Sequence, residues 1–93
     1  MSVLHLVNST KGLARCLDRL GPNDALILLE AGVYAAMTAI EQPNGTVLDV
    51  YVLHEHLSQR GIPTNSVLPA FALIDFEGFV VLTTRHATSV SWP

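Results

Sequence analysis

Aliphatic and β-branched runs alternating with helix-compatible segments predict a single α/β domain over residues 1–93, a three-layer fold with a small, mainly parallel sheet flanked by helices. Three observations carry the prediction. Strand-length apolar runs recur at residues 3–7, 25–29, 47–53 and 70–74. Capping or turn residues separate each run from the stretch that follows. A chain of 93 residues can bury one core of limited size without disulfide staples. Strands that alternate with helices imply right-handed crossovers, hence parallel pairing with helices on both faces. No internal repeat, low-complexity tract or linker divides the sequence.

The first run, Val3-Leu-His-Leu-Val7, is bounded by Asn8, Ser9 and Thr10, so it reads as a strand followed by a helix that Ser9 or Thr10 caps. Gly21-Pro22 marks the end of that helix, Gly supplying a left-handed turn and Pro blocking continuation. Residues 25–29 are almost purely aliphatic between Pro22-Asn23-Asp24 and Glu30-Ala31-Gly32, as a central strand buried on both faces requires. Residues 33–40, rich in Ala and Met, predict a short helix ended by the turn Gln42-Pro43-Asn44-Gly45. Residues 47–53 are β-branched and aromatic enough for a third strand, and residues 54–60 follow as a helix closed by Gly61. Residues 70–74 form a fourth strand, with Asp75 placed to cap what comes next. Two readings stand there. Phe76, Phe79, Val80 and Thr83 have helical spacing, whereas residues 79–84 have the β-branched composition of a strand. Residues 89–92 give a final short strand.

Composition bounds the function. Only 14% of residues are charged, against about 25% in an average soluble domain, while 49% are hydrophobic. Such a surface fits an obligate subunit whose flanks are covered by partners, since interface cores are poor in charge. It equally fits a small domain whose parallel strands are buried on both faces. A net charge of −3 argues against autonomous nucleic-acid binding, which normally shows a basic surplus. One cysteine cannot form an internal disulfide, and the first residues lack a basic start and a long apolar stretch, so the cytoplasm is the expected compartment. No apolar run approaches the roughly 18 residues a membrane span needs.

Several chemistries fail on their residues. The loop Asn8-Ser-Thr-Lys-Gly12 has one glycine and no phosphate-binding pattern, and no carboxylate follows Val7 or Leu53 as a phosphoacceptor site would want. A single cysteine excludes a C-x-x-C redox pair and a cysteine-rich zinc site. His54 and His56 are two apart on a helix and point in different directions, which disfavours a shared metal, and no metal or cofactor is expected. His5 falls on the face of its strand opposite Leu4 and Leu6, as a hydrogen-bonded structural histidine. His86 stands near a helix end, where the dipole favours it.

Cys16 is the one candidate nucleophile. A sulfur carrier needs the thiolate, and hence exposure and nearby positive charge. A helix docked on a sheet needs only a small hydrophobe. Projected at about 100° per residue, Leu13, Leu17 and Leu20 form the apolar stripe and Lys11, Arg15 and Arg19 a basic ridge. Cys16 then lies at the margin, with Arg19 at i+3, beyond the first helical turn where the dipole would help. Trp92 is read either as an exposed aromatic interface anchor or as ordinary packing at a sheet edge.

The start Val3-Leu-His-Leu-Val-Asn-Ser9, the block Leu28-Leu-Glu-Ala-Gly-Val-Tyr-Ala-Ala36, the segments Val50-Tyr-Val-Leu53 and Leu57-Ser-Gln-Arg-Gly61, and Ile74-Asp-Phe76 through Phe79-Val80 and Leu82-Thr83 resemble the TusB/DsrH family of sulfur-relay subunits. Order and spacing match over essentially the whole chain, and Trp92 fits as well. Thr10-Lys11 departs from the Ser-Pro found in many relatives. The resemblance implies a DsrE-like fold and favours the helical reading of residues 75–86. It implies homologous partners of the TusC/DsrF and TusD/DsrE types, in a hexamer of two heterotrimers. A TusA-like donor and a TusE- or DsrC-like acceptor would work through that complex, with no direct contact to nucleic acid or membrane. In the Tus branch the sulfur goes to tRNA wobble uridine, and in the Dsr branch to oxidative sulfur metabolism. The family's established persulfide carrier is the TusD/DsrE-type subunit. A structural, non-catalytic role is therefore expected here, the alternative being a carrier that uses Cys16.

Overall fold

The computed structural model describes residues 2–38 and 49–93. Five strands, β1 (Val3–Val7), β2 (Ala25–Leu28), β3 (Asp49–Leu53), β4 (Ala72–Ile74) and β5 (Thr88–Trp92), form one parallel sheet in the order β4-β3-β2-β1-β5. Helices α1 (Thr10–Leu17), α2 (His54–Gln59) and α3 (Phe76–Arg85) and a 3-10 segment over Glu30–Met37 lie between them.

Strand order dictates which face each crossover covers. From β1 to β4 every step moves one strand in the same direction, so right-handed connections fall on one face. The return from β4 to β5 traverses the sheet the other way and falls on the opposite face. Packing follows this rule. Val7, Leu26, Leu28, Val50 and Val52 meet Leu13 and Cys16 of α1, Val33 and Ala36 of the 3-10 segment, and Leu57 of α2. The alternate residues Leu4, Ala25, Ile27, Leu29 and Leu53 meet Leu82 of α3, with Phe79 partly buried beside them. Each fully buried Leu, Ile or Val contributes about 1.5–3 kcal/mol. β2 is buried at all four positions, the central strand its aliphatic run predicts. Among the described residues α3 alone covers the second face, and its outer side leaves Phe76, Val80 and Val81 exposed.

Side chains mark the helix starts. Ser9 is the cap of α1, its hydroxyl accepting the Gly12 N–H at 2.8 Å. Asp75 does the same for α3 through the Gly78 N–H at 2.8 Å, and residues 76–85 are helical rather than extended. That cap decides between the two readings of this stretch, because it fixes the first turn before the β-branched residues are reached.

Two elements differ from expectation. α1 ends at Leu17, short of Gly21, because the chain from Gly21 to Asp24 closes a turn of its own, with Asp24 N–H donating to the Gly21 carbonyl and Asn23 at φ 65°. The helix expected over residues 33–40 is instead a 3-10 segment over Glu30–Met37, and residues 39–40 lie outside the described residues, as does the turn expected at 42–45. The tighter winding brings the Gly32 backbone against the Val7 carbonyl, to which Leu29 N–H also donates at 2.9 Å. That close approach fixes the path of the segment.

Candidate functional site

Beneath α1 the fold brings together Cys16, His5, Asp24 and Trp92. Asp24 ends the turn before β2 and is 7% exposed, yet its carboxylate has three donors. Oδ1 accepts the Val3 N–H at 2.9 Å, and Oδ2 accepts the Gly21 N–H at 2.9 Å and pairs with His5 Nε2 at 2.8 Å. Trp92 Nε1–H donates to His5 Nδ1 at 3.0 Å. Because indole can only donate, His5 Nδ1 is an acceptor and its ring proton sits on Nε2, directed at Asp24. Burial raises the Asp24 pKa, but the hydrogen bonds from His5, Gly21 and Val3 more than offset it, and the carboxyl is held below its ordinary value. The chain Trp92–His5–Asp24 thus ties β5 to β1 and to the turn before β2.

Trp92 is partly buried against the α1-side core, its ring stacked near His5 with centroids 6.1 Å apart. Its one polar group is spent within the chain. Cys16 is fully buried rather than at the margin of the stripe. The projection misplaces it because α1 lies over β1 and β5 with Leu17 and Leu20 only partly buried, which turns the Leu13 and Cys16 side of the helix into the sheet. Desolvation, reinforced by the charge of Asp24, pushes the Cys16 thiol up to about 12. A buried, protonated thiol is a poor nucleophile at neutral pH. Iodoacetamide should therefore leave the native chain unmodified at mildly alkaline pH and modify Cys16 fully in concentrated urea. Rapid labelling of the folded chain, read by intact mass, would contradict this burial.

The histidines of α2 diverge as their spacing predicts. His56 Nδ1 accepts the Glu30 N–H at 2.9 Å, and Arg60 approaches the Glu30 carboxylate at 3.6 Å. Together they hold Glu30, a non-glycine residue at φ 49°, in a left-handed conformation that is strained by roughly 1–2 kcal/mol. His54 is exposed and faces away from this cluster, toward the end of β4. His86, at the C-cap of α3, bonds Ser2 through Nδ1 at 3.0 Å. Among the described residues no group of three or more His, Cys, Asp and Glu side chains is placed to hold a metal ion. No helix there is long and apolar enough to cross a membrane.

Cys16 and Trp92 stand out in the sequence and His5 has its strand face there, but Asp24 does not show itself as their common partner. The available signal is the left-handed Asn23 before it, which aims a short carboxylate back into the turn.

Residues 7–89 match the family described as DsrH like protein. The chain is 33% identical over 96 residues to Protein TusB of Shigella flexneri and to Protein TusB of Escherichia coli K12, covering 97% of this chain and 100% of each relative. The chain belongs to the TusB/DsrH family. The solution NMR structure of protein Tm0979 from Thermotoga maritima shares the fold, superposing with a TM-score of 0.69 at 20% identity over 91% of this chain and 93% of that one. A TusB/DsrH chain is a sulfur-relay subunit in general terms, and in this one the only thiol lies inside the core.

Proposed function

We propose that the chain is a non-catalytic structural subunit of a heterohexameric sulfur-transfer complex of the TusBCD type, acting in the cytoplasm and supporting persulfide relay toward 2-thiolation of tRNA wobble uridine. The observation that carries this reading is the burial of Cys16, in a chain that matches Protein TusB over 97% of its length. A carrier must present its sulfur to two partners in turn, and a thiol with no exposed surface and a pKa of about 12 cannot do so without unfolding its surroundings. The exposed apolar side chains of α3 and β4, Leu73, Phe76, Val80 and Val81, suit burial against homologous TusC- and TusD-like subunits. A TusA-like donor and a TusE-like acceptor then act on the partner's cysteine.

Persulfide mass labelling of the complex purified from its source tests this. Sulfur is expected on a partner subunit and not on Cys16, with relay intact in Cys16→Ser. Added sulfur on Cys16 together with loss of relay in Cys16→Ser would overturn the non-catalytic reading. The same purification distinguishes the branches, because co-purifying DsrE- and DsrF-like subunits with a DsrC-like acceptor would assign the chain to oxidative sulfur metabolism instead.

A further inference from the structure

Among the described residues the sheet has two edge strands, β4 and β5, and they differ. β4 is three residues long, a short edge of the kind that resists further pairing. β5 is five residues long and pairs with β1 without a bulge. Its sequence, Thr88-Ser-Val-Ser-Trp92, has no charge and no proline, the other devices that guard an edge. One bond fixes the direction of its free groups. The Trp92 carbonyl accepts the Asn8 N–H at 3.0 Å, so Trp92 bonds toward β1. In a strand the N–H and C=O of one residue point to the same side, and those of the next residue to the other. Val90 and Thr88 therefore also bond toward β1, while Ser89 and Ser91 direct their N–H and C=O groups outward, where no strand among the described residues meets them.

A basic flank overhangs this edge. α1 lies over β1 and β5 with the 3-10 segment on its other side, and a Cβ on Gly12 would meet the backbone carbonyls of Trp92 and Pro93. The Gly12 side of α1 is thus the side toward β5. Arg15 and Arg19 share that side, each within about 60° of Gly12 around the helix. The winding continues past Leu17, since the Arg19 N–H donates to the Cys16 carbonyl at 2.9 Å. A helix between two parallel strands runs back along the sheet, rising about 1.5 Å per residue against about 3.3 Å for a strand. Counted from Gly12 beside Trp92, Arg15 comes level with Val90 and Ser91, and Arg19 with Thr88 and Ser89. Lys11, Arg15 and Arg19 are all exposed, and none makes an ion pair among the described residues. They are three of the five Lys and Arg residues in a chain whose net charge is −3.

We propose that β5 takes up an extended segment of a partner protein as a sixth strand, and that this segment carries acidic residues two apart. Its backbone would bond the outward groups of Ser89 and Ser91. Trp92 lies on the α1 face of the sheet, so Val90 and Thr88 do too, and Val90 is 37% exposed there. Side chains directly opposite one another on paired strands share a face. Those opposite Thr88 and Val90 would therefore lie beside Arg19 and Arg15, and alternation makes them positions i and i+2 of the segment. A carboxylate at each gives the two guanidinium groups the partners they lack within the chain. A second copy of this chain is a poorer occupant. Pairing β5 with its twofold equivalent keeps both α1 helices on one face and turns each basic flank toward the other. The inference does not rest on the sulfur pathway the chain serves.

The test is a titration of the isotope-labelled full chain with three peptides that alternate threonine with glutamate, glutamine or lysine, followed by amide shifts and amide exchange. The glutamate peptide is expected to shift the amides of residues 88–92, to slow exchange at Ser89 and Ser91, and to bind about tenfold tighter than the glutamine peptide. The lysine peptide should shift none of them. Ser91→Pro deletes an outward N–H and no bond to β1, and should abolish peptide binding while the rest of the spectrum stays in place. Arg15→Gln with Arg19→Gln should keep binding but remove the preference for glutamate. Equal binding of the glutamate and glutamine peptides to the unmodified chain would overturn the proposal. So would binding that survives Ser91→Pro, shifts centred away from β5, or none at all. Concentration-dependent shifts of Ser89 and Ser91 without peptide would assign the edge to a second copy and overturn it too.

Discussion

Gly32→Ala is expected to cost about 3 kcal/mol of stability, far more than one methyl group usually costs outside a packed core. A Cβ at this position would overlap the carbonyl oxygen of Val7, with the Val7 carbonyl carbon at 3.1 Å and the Ser9 nitrogen at 3.3 Å behind it. All three are backbone atoms, and the Val7 carbonyl is already fixed by the Leu29 N–H, so nothing flexible can give way. The 3-10 segment must lift from the end of β1, opening Val33 and Ala36 to water. Gly61→Ala provides the contrast. Gly61 has φ 68° and no atom within 4 Å of the place a methyl would take, so only the backbone penalty of about 1 kcal/mol applies there. Urea denaturation followed by far-UV circular dichroism measures both. A loss at Gly32 no larger than that at Gly61 would show that the segment is not held against β1 as described.

That contrast also shows which parts of the fold a sequence can express. β2 is legible because a strand buried on both faces leaves an uninterrupted aliphatic run, and α1 and α3 because Ser9 and Asp75 each bond an N–H three residues on. The winding of residues 30–37 is not, since Ala, Val and Met suit a 3-10 or an α-helical path equally and the choice rests on the contact between Gly32 and Val7, far apart in the chain. The position of Cys16 escapes for a related reason. A helical projection gives the stripe's direction relative to the helix itself, whereas the sheet decides how far α1 is rolled, and here the roll buries Cys16 and leaves Leu17 partly open. Asp24 is invisible as a site residue because its partners are two backbone N–H groups and a ring on another strand. The strand order, with β5 returning to lie beside β1, rests on pairing between distant segments, which local sequence signals do not encode.

Asp24→Ala is expected to destabilise the chain by about 3–5 kcal/mol, because it leaves the N–H groups of Val3 and Gly21 and the Nε2–H of His5 without an acceptor in a buried site. The pH dependence has a definite sign. The folded carboxyl pKa is below its unfolded value of about 3.9, so the stabilisation is complete above that value and is lost as pH falls through the folded one. The difference in urea midpoint between the native chain and Asp24→Asn should therefore be constant near neutrality and shrink below about pH 4. Asparagine also tests the direction of the His5 proton. Its amide nitrogen must face at least one of three donors, and His5 cannot change tautomer to relieve this while Trp92 Nε1–H occupies Nδ1. Trp92→Phe removes that constraint. In the Asp24→Asn background, His5 is then free to turn an unprotonated Nε2 toward the amide, so the two substitutions together should cost less than their sum, by about 1 kcal/mol. Strict additivity in this double-mutant cycle would mean that His5 does not couple the C-terminal strand to Asp24, and that the three side chains are neighbours rather than one network.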